Sequence, residues 1–249
     1  HCWDQGGHGA VRLEQAIAKS CNIFFYELGR DLGIERISAF ARELGLGSPS
    51  GIDLPGERGG IMPSPEWKRE ARGEPWYPGE TISVSIGQGA VSTTPVQLLR
   101  AVGALVTAGR LVTPHLLLHA EGGAESPQGG WPVKRLPIAE AHSRRIRQGM
   151  WESVNAWGTG HNAEVPGEDI CGKTGTAQVV GKDAAKRLGE GVDDHAWFAG
   201  FGRRDDPEIA VVVFIEHGGS GGGAAAPVAR EIFRTYFQNR RSSGAADHD

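Results

Sequence analysis

The sequence predicts an α+β fold, with helices over the first two thirds and an antiparallel sheet in the last third. Three observations carry this. Apolar residues recur at helical spacing within Val11–Leu44, Thr94–Ala108 and Ile138–Ala156. Three strand-like runs then follow, Lys173–Val180, Ala196–Gly202 and Ile209–Glu216, and Arg203-Arg204-Asp205-Asp206-Pro207 reads as a hairpin connection between the last two. An amphipathic helix over Ala226–Phe237 closes the pattern. Helices first and strands afterwards is the order of α+β chains, whereas a parallel sheet would need alternation. No internal repeat is visible.

Taken in order, residues 1–9 form a Gly-rich loop carrying Cys2 and His8. Val11–Lys19 is helical in pattern. Ser20-Cys21-Asn22 interrupts it, because Ser and Asn favour caps and turns over helix interiors. Ile23–Leu32 reads as a second helix stopped by Gly33, and Ile34–Leu44 as a third ended by Gly45. Residues 45–80 carry six prolines and read as a long loop, of the kind that is functional or wraps another element. Thr81–Ile86 alternates like a short strand. Thr94-Pro95 opens a strong helix that ends at Gly109. Arg110–His119 reads as extended, residues 121–132 as an exposed Gly/Pro loop, and Gly158-Thr159-Gly160 as a turn. The tail from Arg240 is expected to fray.

The totals bound the function classes. With 249 residues, 39% hydrophobic, the chain can build one large domain or two small ones. A net charge of −4 gives no basic surface for nucleic acid. No apolar run approaches the ~18 residues of a membrane span, and no secretory leader is visible. The three cysteines, Cys2, Cys21 and Cys171, do not suggest a disulfide framework. Motif-like sequence starts directly at residue 1, so the chain reads as an excised piece.

Four motifs bear on chemistry. Gly167–Thr174 spells G-x-x-x-x-G-K-T, but a P-loop must open a helix whose N–H groups meet phosphate, and here a strand-like run follows. Gly218-Gly219-Ser220-Gly221-Gly222 spells G-x-S-x-G, yet a run of Gly forces no tight elbow and reads as a flexible loop before the last helix. Lys173-Thr174-Gly175-Thr176 sets an ammonium beside two hydroxyls on a strand. That is a carboxylate grip, with Gly172 and Gly175 leaving room for a substrate backbone. Ser20-Cys21-Asn22 gains meaning from its company. An S-x-N helix break followed about 150 residues later by K-T-G-T is the arrangement of penicillin-recognising serine acyltransferases. In that arrangement the Ser hydroxyl relays a proton and the Asn amide orients the substrate peptide. Lys supplies positive charge, the Thr hydroxyls bind a carboxylate, and a backbone N–H on the strand helps stabilise the oxyanion. Asp193-Asp194-His195 reads as a solvated turn, Trp76 and Tyr77 as packing in the long loop, and Cys171 as packing beside the strand.

More than two motifs agree. GHGAVRLEQAIAKSCNIFFYELGRDLGI (7–34), GIDLPGERGGIMPSPEWK (51–68), PWYPGETISVSIGQGAVSTTPVQLLRA (75–101), CGKTGTAQVV (171–180) and HAWFAGF (195–201) occur in order. Together they resemble a class B penicillin-binding protein of the elongation-specific type, penicillin-binding protein 2, over nearly the whole chain. The resemblance implies a penicillin-binding, serine β-lactamase-like transpeptidase fold. It implies one partial transpeptidase domain over 1–249: a mainly helical part to residue 160, the sheet and last helix over 161–239, and a tail over 240–249. It also implies a peptidoglycan D,D-transpeptidase acting in cell elongation and shape through a serine acyl-enzyme on D-Ala-D-Ala stem peptides, with β-lactams as mimics. Ser20, Asn22, Lys173, Thr174, Gly175 and Thr176 would form the site, with Lys173, Thr174 and Thr176 holding substrate. Catalysis would need no cofactor. The expected partners are stem peptides, β-lactams and an elongation-complex glycosyltransferase, at the periplasmic face of a bacterial inner membrane, with an anchoring helix outside this chain.

One departure limits this. The family nucleophile lies in S-x-x-K, and no Ser here has Lys three residues later. Ser64-Pro65-Glu66-Trp67-Lys68 is one residue too long, and Pro65 is expected to spoil the helix that motif needs. The nucleophile and its base are therefore expected upstream of His1, and the chain alone is expected to be inert to acylation. A non-catalytic binding fragment, or more remotely a nucleotide binder through 167–174, are the alternative readings.

Cys2, His8 and Cys21 follow the spacing C-x5-H-x12-C, and thiolates with imidazole suit zinc. The resemblance implies a structural zinc beside S-x-N in some members, with a fourth ligand upstream or supplied by Asp4 or His1. The alternative is a buried Cys21 with a loop His8, and the sequence leaves both open.

Overall fold

The computed structural model describes residues 2–117, 131–179 and 193–246, with side chains to 242. It divides into two compact units: His1–Trp3 with Asn22–Ser143, and Asp4–Cys21 with Arg144–Asp249.

The first unit holds helices α2 (Asn22–Leu32), α3 (Ile34–Glu43), α4 (Pro65–Arg72), α5 (Pro78–Val84) and α6 (Pro95–Val106). A two-stranded antiparallel ribbon, β1 (Arg110–Val112) with β2 (Val133–Arg135), completes it. Leu44, Ala101, Ala104, Leu111 and Leu136 form one core cluster, and Ile34, Met62 and Val84 another. Helix α6 begins as Thr94-Pro95 predicts. The Thr94 hydroxyl accepts from Gln97 N at 3.2 Å, and the Gln97 carboxamide oxygen accepts from Thr94 N at 3.0 Å. Gln97 is 1% exposed. Its NH2 donates to the carbonyls of Ser48 and Gly59, both at 2.6 Å, which fastens the Pro-rich stretch onto the helix. Ile61 and Ser92 bridge nearby, and a side chain on Gly60 would meet the Ser92 carbonyl at 2.4 Å.

Four expectations are corrected here. Thr81–Ile86 is no strand. Pro78 opens α5, the Glu80 carboxylate accepts from Tyr77 N at 2.8 Å, and Thr81 and Val84 are the buried pair, three residues apart as a helix requires. Pro65 does not spoil a helix but starts one. Ser64 is its N-cap, accepting from Trp67 N at 3.2 Å, and Pro needs no N–H donor at that position. The 45–80 stretch is therefore partly helical, with Lys68 buried against Glu80 at 2.7 Å and its ammonium 4.3 Å from the Tyr77 ring. Trp76 packs as expected and donates to the Thr81 hydroxyl at 2.9 Å. Of the predicted extended run 110–119, only Arg110–Val112 is strand. Residues 118–130, with most of the predicted loop 121–132, lie outside the described residues.

The second unit holds α1 (Leu13–Ala18), α7 (Glu140–Asn155) from Arg144 onward, and a 3-10 turn at His161–Ala163. Its sheet is β3 (Ile170–Ala177), β4 (His195–Gly202) and β5 (Ile209–Ile215), followed by a π-helical turn (Gly221–Ala225) and α8 (Ala226–Ala246). The sheet is antiparallel in the order β3-β4-β5, with Lys173 opposite Ala199 and Thr174 opposite Phe198. Alternate residues therefore share a face. Ile170, Ala196, Phe198, Val211 and Val213 lie on one, packed with Ala229, Phe233 and Phe237 of α8. The last helix does not fray at Arg240. It runs to Ala246, with Arg241 donating to Glu168 at 2.8 Å and Arg240 3.3 Å from Glu208. His195 belongs to β4, and its Nδ1 accepts from His217 N at 3.0 Å.

Candidate active site

Ser20 and Lys173 meet in the second unit. Helix α1 ends at Ala18, and the chain reverses in a Schellman turn: Cys21 N donates to Ala16 O at 2.9 Å and Ser20 N to Ile17 O at 3.2 Å. That turn needs a left-handed residue, and here it is Ser20, with φ of 53°. Glycine is the usual occupant, since a Cβ in this region costs energy. A serine stands here where glycine would be less strained, and the turn presents its hydroxyl to Lys173 of β3.

Strand β3 brings Lys173 to that hydroxyl. Trp151 of α7 donates to Asp169 at 2.7 Å, and Asn155 donates to Ile170 O at 2.6 Å, which fixes where the strand begins. Lys173 Nζ then donates to Ser20 Oγ and to Thr174 O, each at 2.7 Å. Burial among these groups pulls the Lys173 ammonium down to about 8. At neutral pH it is mostly charged, yet a proton leaves it far more readily than a surface lysine. Ser20 Oγ accepts from this cation and keeps its own hydrogen to donate elsewhere, so the pair can pass a proton through the serine.

The next hydroxyls are also tied down. Thr174 Oγ1 lies 2.7 Å from Thr159 Oγ1, and Thr176 Oγ1 accepts from Gly221 N at 3.4 Å. The Gly-rich stretch that the sequence assigned to a flexible loop is a packed π-helical turn. Ser220 caps it by accepting from Gly223 N at 3.1 Å. A Cβ on Gly221 would meet Trp197 O at 2.3 Å and Gly175 O at 2.4 Å, so these glycines exist to let two backbones touch. Gly172 also meets a neighbour that the sequence did not indicate. The Phe198 ring lies across it, and a Cβ there would sit 2.1 Å from Phe198 Cζ. Gly172 therefore has a packing reason in the core. Gly200 faces the same ring at 2.6 Å.

The remaining predicted residues fall as follows. Asn22 is the first residue of α2 and belongs to the first unit, as does Cys2. His8 and Cys21 belong to the second, with a His8 ring nitrogen within 4.8 Å of the Cys21 sulfur. The His8 side chain is 4% exposed, and its Nε2 is 3.8 Å from Asp4 Oδ2. His1 lies outside the described residues. Cys171 is fully buried, and burial pushes its thiol far above the ordinary range, so it is an inert packing residue. The run Gly167–Thr174 leads into β3 and opens no helix. Two contributors escaped the sequence reading. Thr159, within Gly158-Thr159-Gly160, meets Thr174; Gly221 abuts β3. The only signal was a lone hydroxyl between two glycines.

Comparison with known proteins bears on this arrangement. The family model described as penicillin binding protein transpeptidase domain matches residues 1–234. The peptidoglycan D,D-transpeptidase MrdA of Acinetobacter baumannii is 38% identical over 248 residues, covering 97% of this chain and 37% of that protein. A crystal structure of Pseudomonas aeruginosa PBP2 in complex with WCK 5153 superposes with a TM-score of 0.80 at 37% identity, covering 95% of this chain and 51% of that one. Helicobacter pylori PBP2 in its complex with MreC gives a TM-score of 0.79 at 31% identity, over 95% of this chain and 43% of that one. The chain thus spans well under half of the curated relative it matches.

Proposed function

The chain belongs to the penicillin-binding protein transpeptidase family, and we propose that it is the part of an elongation-type peptidoglycan D,D-transpeptidase that carries the proton relay and the carboxylate grip. The observation that carries this is the 2.7 Å contact between Lys173 Nζ and a Ser20 hydroxyl held in left-handed backbone. In the proposed reaction a serine outside these 249 residues attacks the D-Ala-D-Ala carbonyl. Ser20 Oγ donates a proton to the departing D-Ala amine, while Lys173 holds the relay polarised. Thr174 and Thr176 bind the terminal carboxylate, Asn22 orients the peptide, and a backbone N–H of β3 near Gly175 receives the oxyanion. A neighbouring stem amine then takes the acyl group, and a β-lactam stops at the acyl-enzyme.

The remainder of the proposal follows from kinship. The protein works at the periplasmic face of a bacterial inner membrane, beside a glycosyltransferase of the elongation complex, and needs no cofactor for catalysis. A structural zinc would take His8 and Cys21, with Asp4 and Cys2 as further donors. Thiolate, imidazole and carboxylate are a zinc ligand set, and the ion would pin the turn that presents Ser20. Zinc at one equivalent by elemental analysis, lost in C21S, is the expected result; none bound removes that element.

The activity test uses fluorescent penicillin. The protein carrying this chain together with an S-x-x-K segment should form a covalent adduct, and S20A or K173A should slow it by about a hundredfold or more. The 249 residues alone should form none. An adduct on the isolated chain would overturn the assignment of the nucleophile to another segment. Full labelling of S20A would overturn the relay.

A further inference from the structure

Thr159 sits where three segments of the second unit meet. Its N–H donates to Ala18 O at 3.1 Å, two residues before Ser20. Its hydroxyl is 2.7 Å from the Thr174 hydroxyl. Its carbonyl faces Gly222, where a Cβ would come within 2.7 Å. The loop around it has little freedom. A Cβ on Gly158 would meet Ser153 Cα at 2.3 Å and Ala18 O at 2.7 Å, and Gly160 N donates to Ser153 O at 2.9 Å. Asn162 donates to Gly222 O at 2.8 Å. A threonine held this firmly, with its hydroxyl aimed at a neighbour on the grip, does more than fill a turn.

We propose that Thr159 is a positioning residue for the carboxylate grip: its hydroxyl donates to Thr174 Oγ1, which leaves the Thr174 hydrogen free to donate to the terminal carboxylate of the substrate. Two hydroxyls 2.7 Å apart share one hydrogen between them, so one of the two hydrogens always points elsewhere. If Thr159 donates, the free hydrogen belongs to the residue on β3, beside the Lys173 charge. An anionic ligand selects that arrangement, because a carboxylate accepts only. The backbone contact to Ala18 O ties the same residue to the turn that presents Ser20, so grip and relay keep a common register. This inference rests on the acyl-transfer reading above.

The test compares T159V, which keeps the shape and removes the hydroxyl, with T159S, in the protein that carries this chain and the S-x-x-K segment. Two probes are used, a fluorescent penicillin and its carboxyl methyl ester. For the free acid, T159V should lower the second-order acylation rate constant by about tenfold, because Thr174 Oγ1 loses the donor that turns its own hydrogen toward the carboxylate. For the ester it should change the rate by less than about twofold, and T159S should retain at least about a third of the parent rate with the acid. Equal losses with both probes, or no loss with the acid, overturn the proposal, since a structural defect would not depend on the ligand's charge. A T159S variant as slow as T159V overturns it too. A parent protein that takes up neither probe overturns the acyl-transfer reading itself, and this inference with it.

Discussion

Replacing Ser20 by Gly and by Ala separates backbone strain from hydroxyl chemistry. Both variants lose Oγ, so both lose the 2.7 Å bond from Lys173, and that loss cancels in the comparison. What differs is the left-handed backbone at φ of 53°. A Cβ in this region costs about 1–2 kcal/mol, which Ala pays and Gly does not. Gly in turn loses about 0.4–1 kcal/mol more through the entropy of its unfolded chain. The net expectation is that S20G is more stable than S20A by about 0.5–1 kcal/mol, the reverse of the usual order of these residues near a helix. For a chain of this length that is roughly 2 °C in Tm. Urea unfolding of the two variants at pH 7, followed by far-ultraviolet circular dichroism, reads it. An S20A variant equal to or more stable than S20G would refute the strain at this position. In acylation assays both variants should be equally slow, because stability and chemistry draw on different atoms of the same residue.

Other expectations test separate contacts. Lys173 should make stability depend on alkaline pH. Its folded value near 8 lies below the unfolded 10.5, so the unfolded chain binds more protons between those values and stability rises with pH through that window. The rise is at most about 3.4 kcal/mol, from the gap between 10.5 and about 8 at ~1.36 kcal/mol per pH unit, and K173M should abolish it; a flat profile for the parent contradicts the burial argument. G172A should destabilise the chain by about 2–3 kcal/mol through the Phe198 ring, and F198L should recover part of that in the double variant, a coupling that additive losses would disprove. S64A should lower stability by about 1 kcal/mol by removing the cap of α4, measurable as a Tm drop of a few degrees; an unchanged Tm would deny the cap.

The sequence was most legible where one period or one punctuation mark dominated. Thr94-Pro95 with Gln97 predicts the start of α6 because cap, proline and reciprocal glutamine act within four residues. The three strands of the second unit are legible because β-branched and aromatic residues alternate around a charged hairpin. Thr81–Ile86 misled because Thr, Ser and Ser alternate with Ile, Val and Ile, a pattern of period two that a two-turn helix tolerates when Pro78 and Glu80 fix its first turn. Strand β2 has three exposed residues, Val133, Lys134 and Arg135, and no pattern that short stands out. In the site, Lys173 and Ser20 were legible as residue types. Their contact, 153 residues apart, follows from the fold. Thr159 was illegible because its importance lies in what its backbone and hydroxyl touch. The packing of Gly172 against Phe198 was illegible because a glycine beside a substrate-gripping motif and a glycine beneath a phenyl ring look alike in one dimension.

The buried Gln97 amide has a consequence for how the first unit opens. It joins two carbonyls, at Ser48 and Gly59, to the first turn of α6. The Pro-rich stretch between them is therefore not an independent flap but the far side of a noncovalent ring closed at Gln97, and Asp53 fastens it a second time by accepting from Leu116 N at 2.7 Å and Leu117 N at 2.9 Å. Breaking the Gln97 closure strands a buried amide and two carbonyls at once, so the three groups lose their partners together. Amide hydrogens along this stretch should accordingly exchange as a single cooperative block together with the start of α6, and a Gln97→Ala variant would divide the block into a fast-exchanging loop and a slow helix.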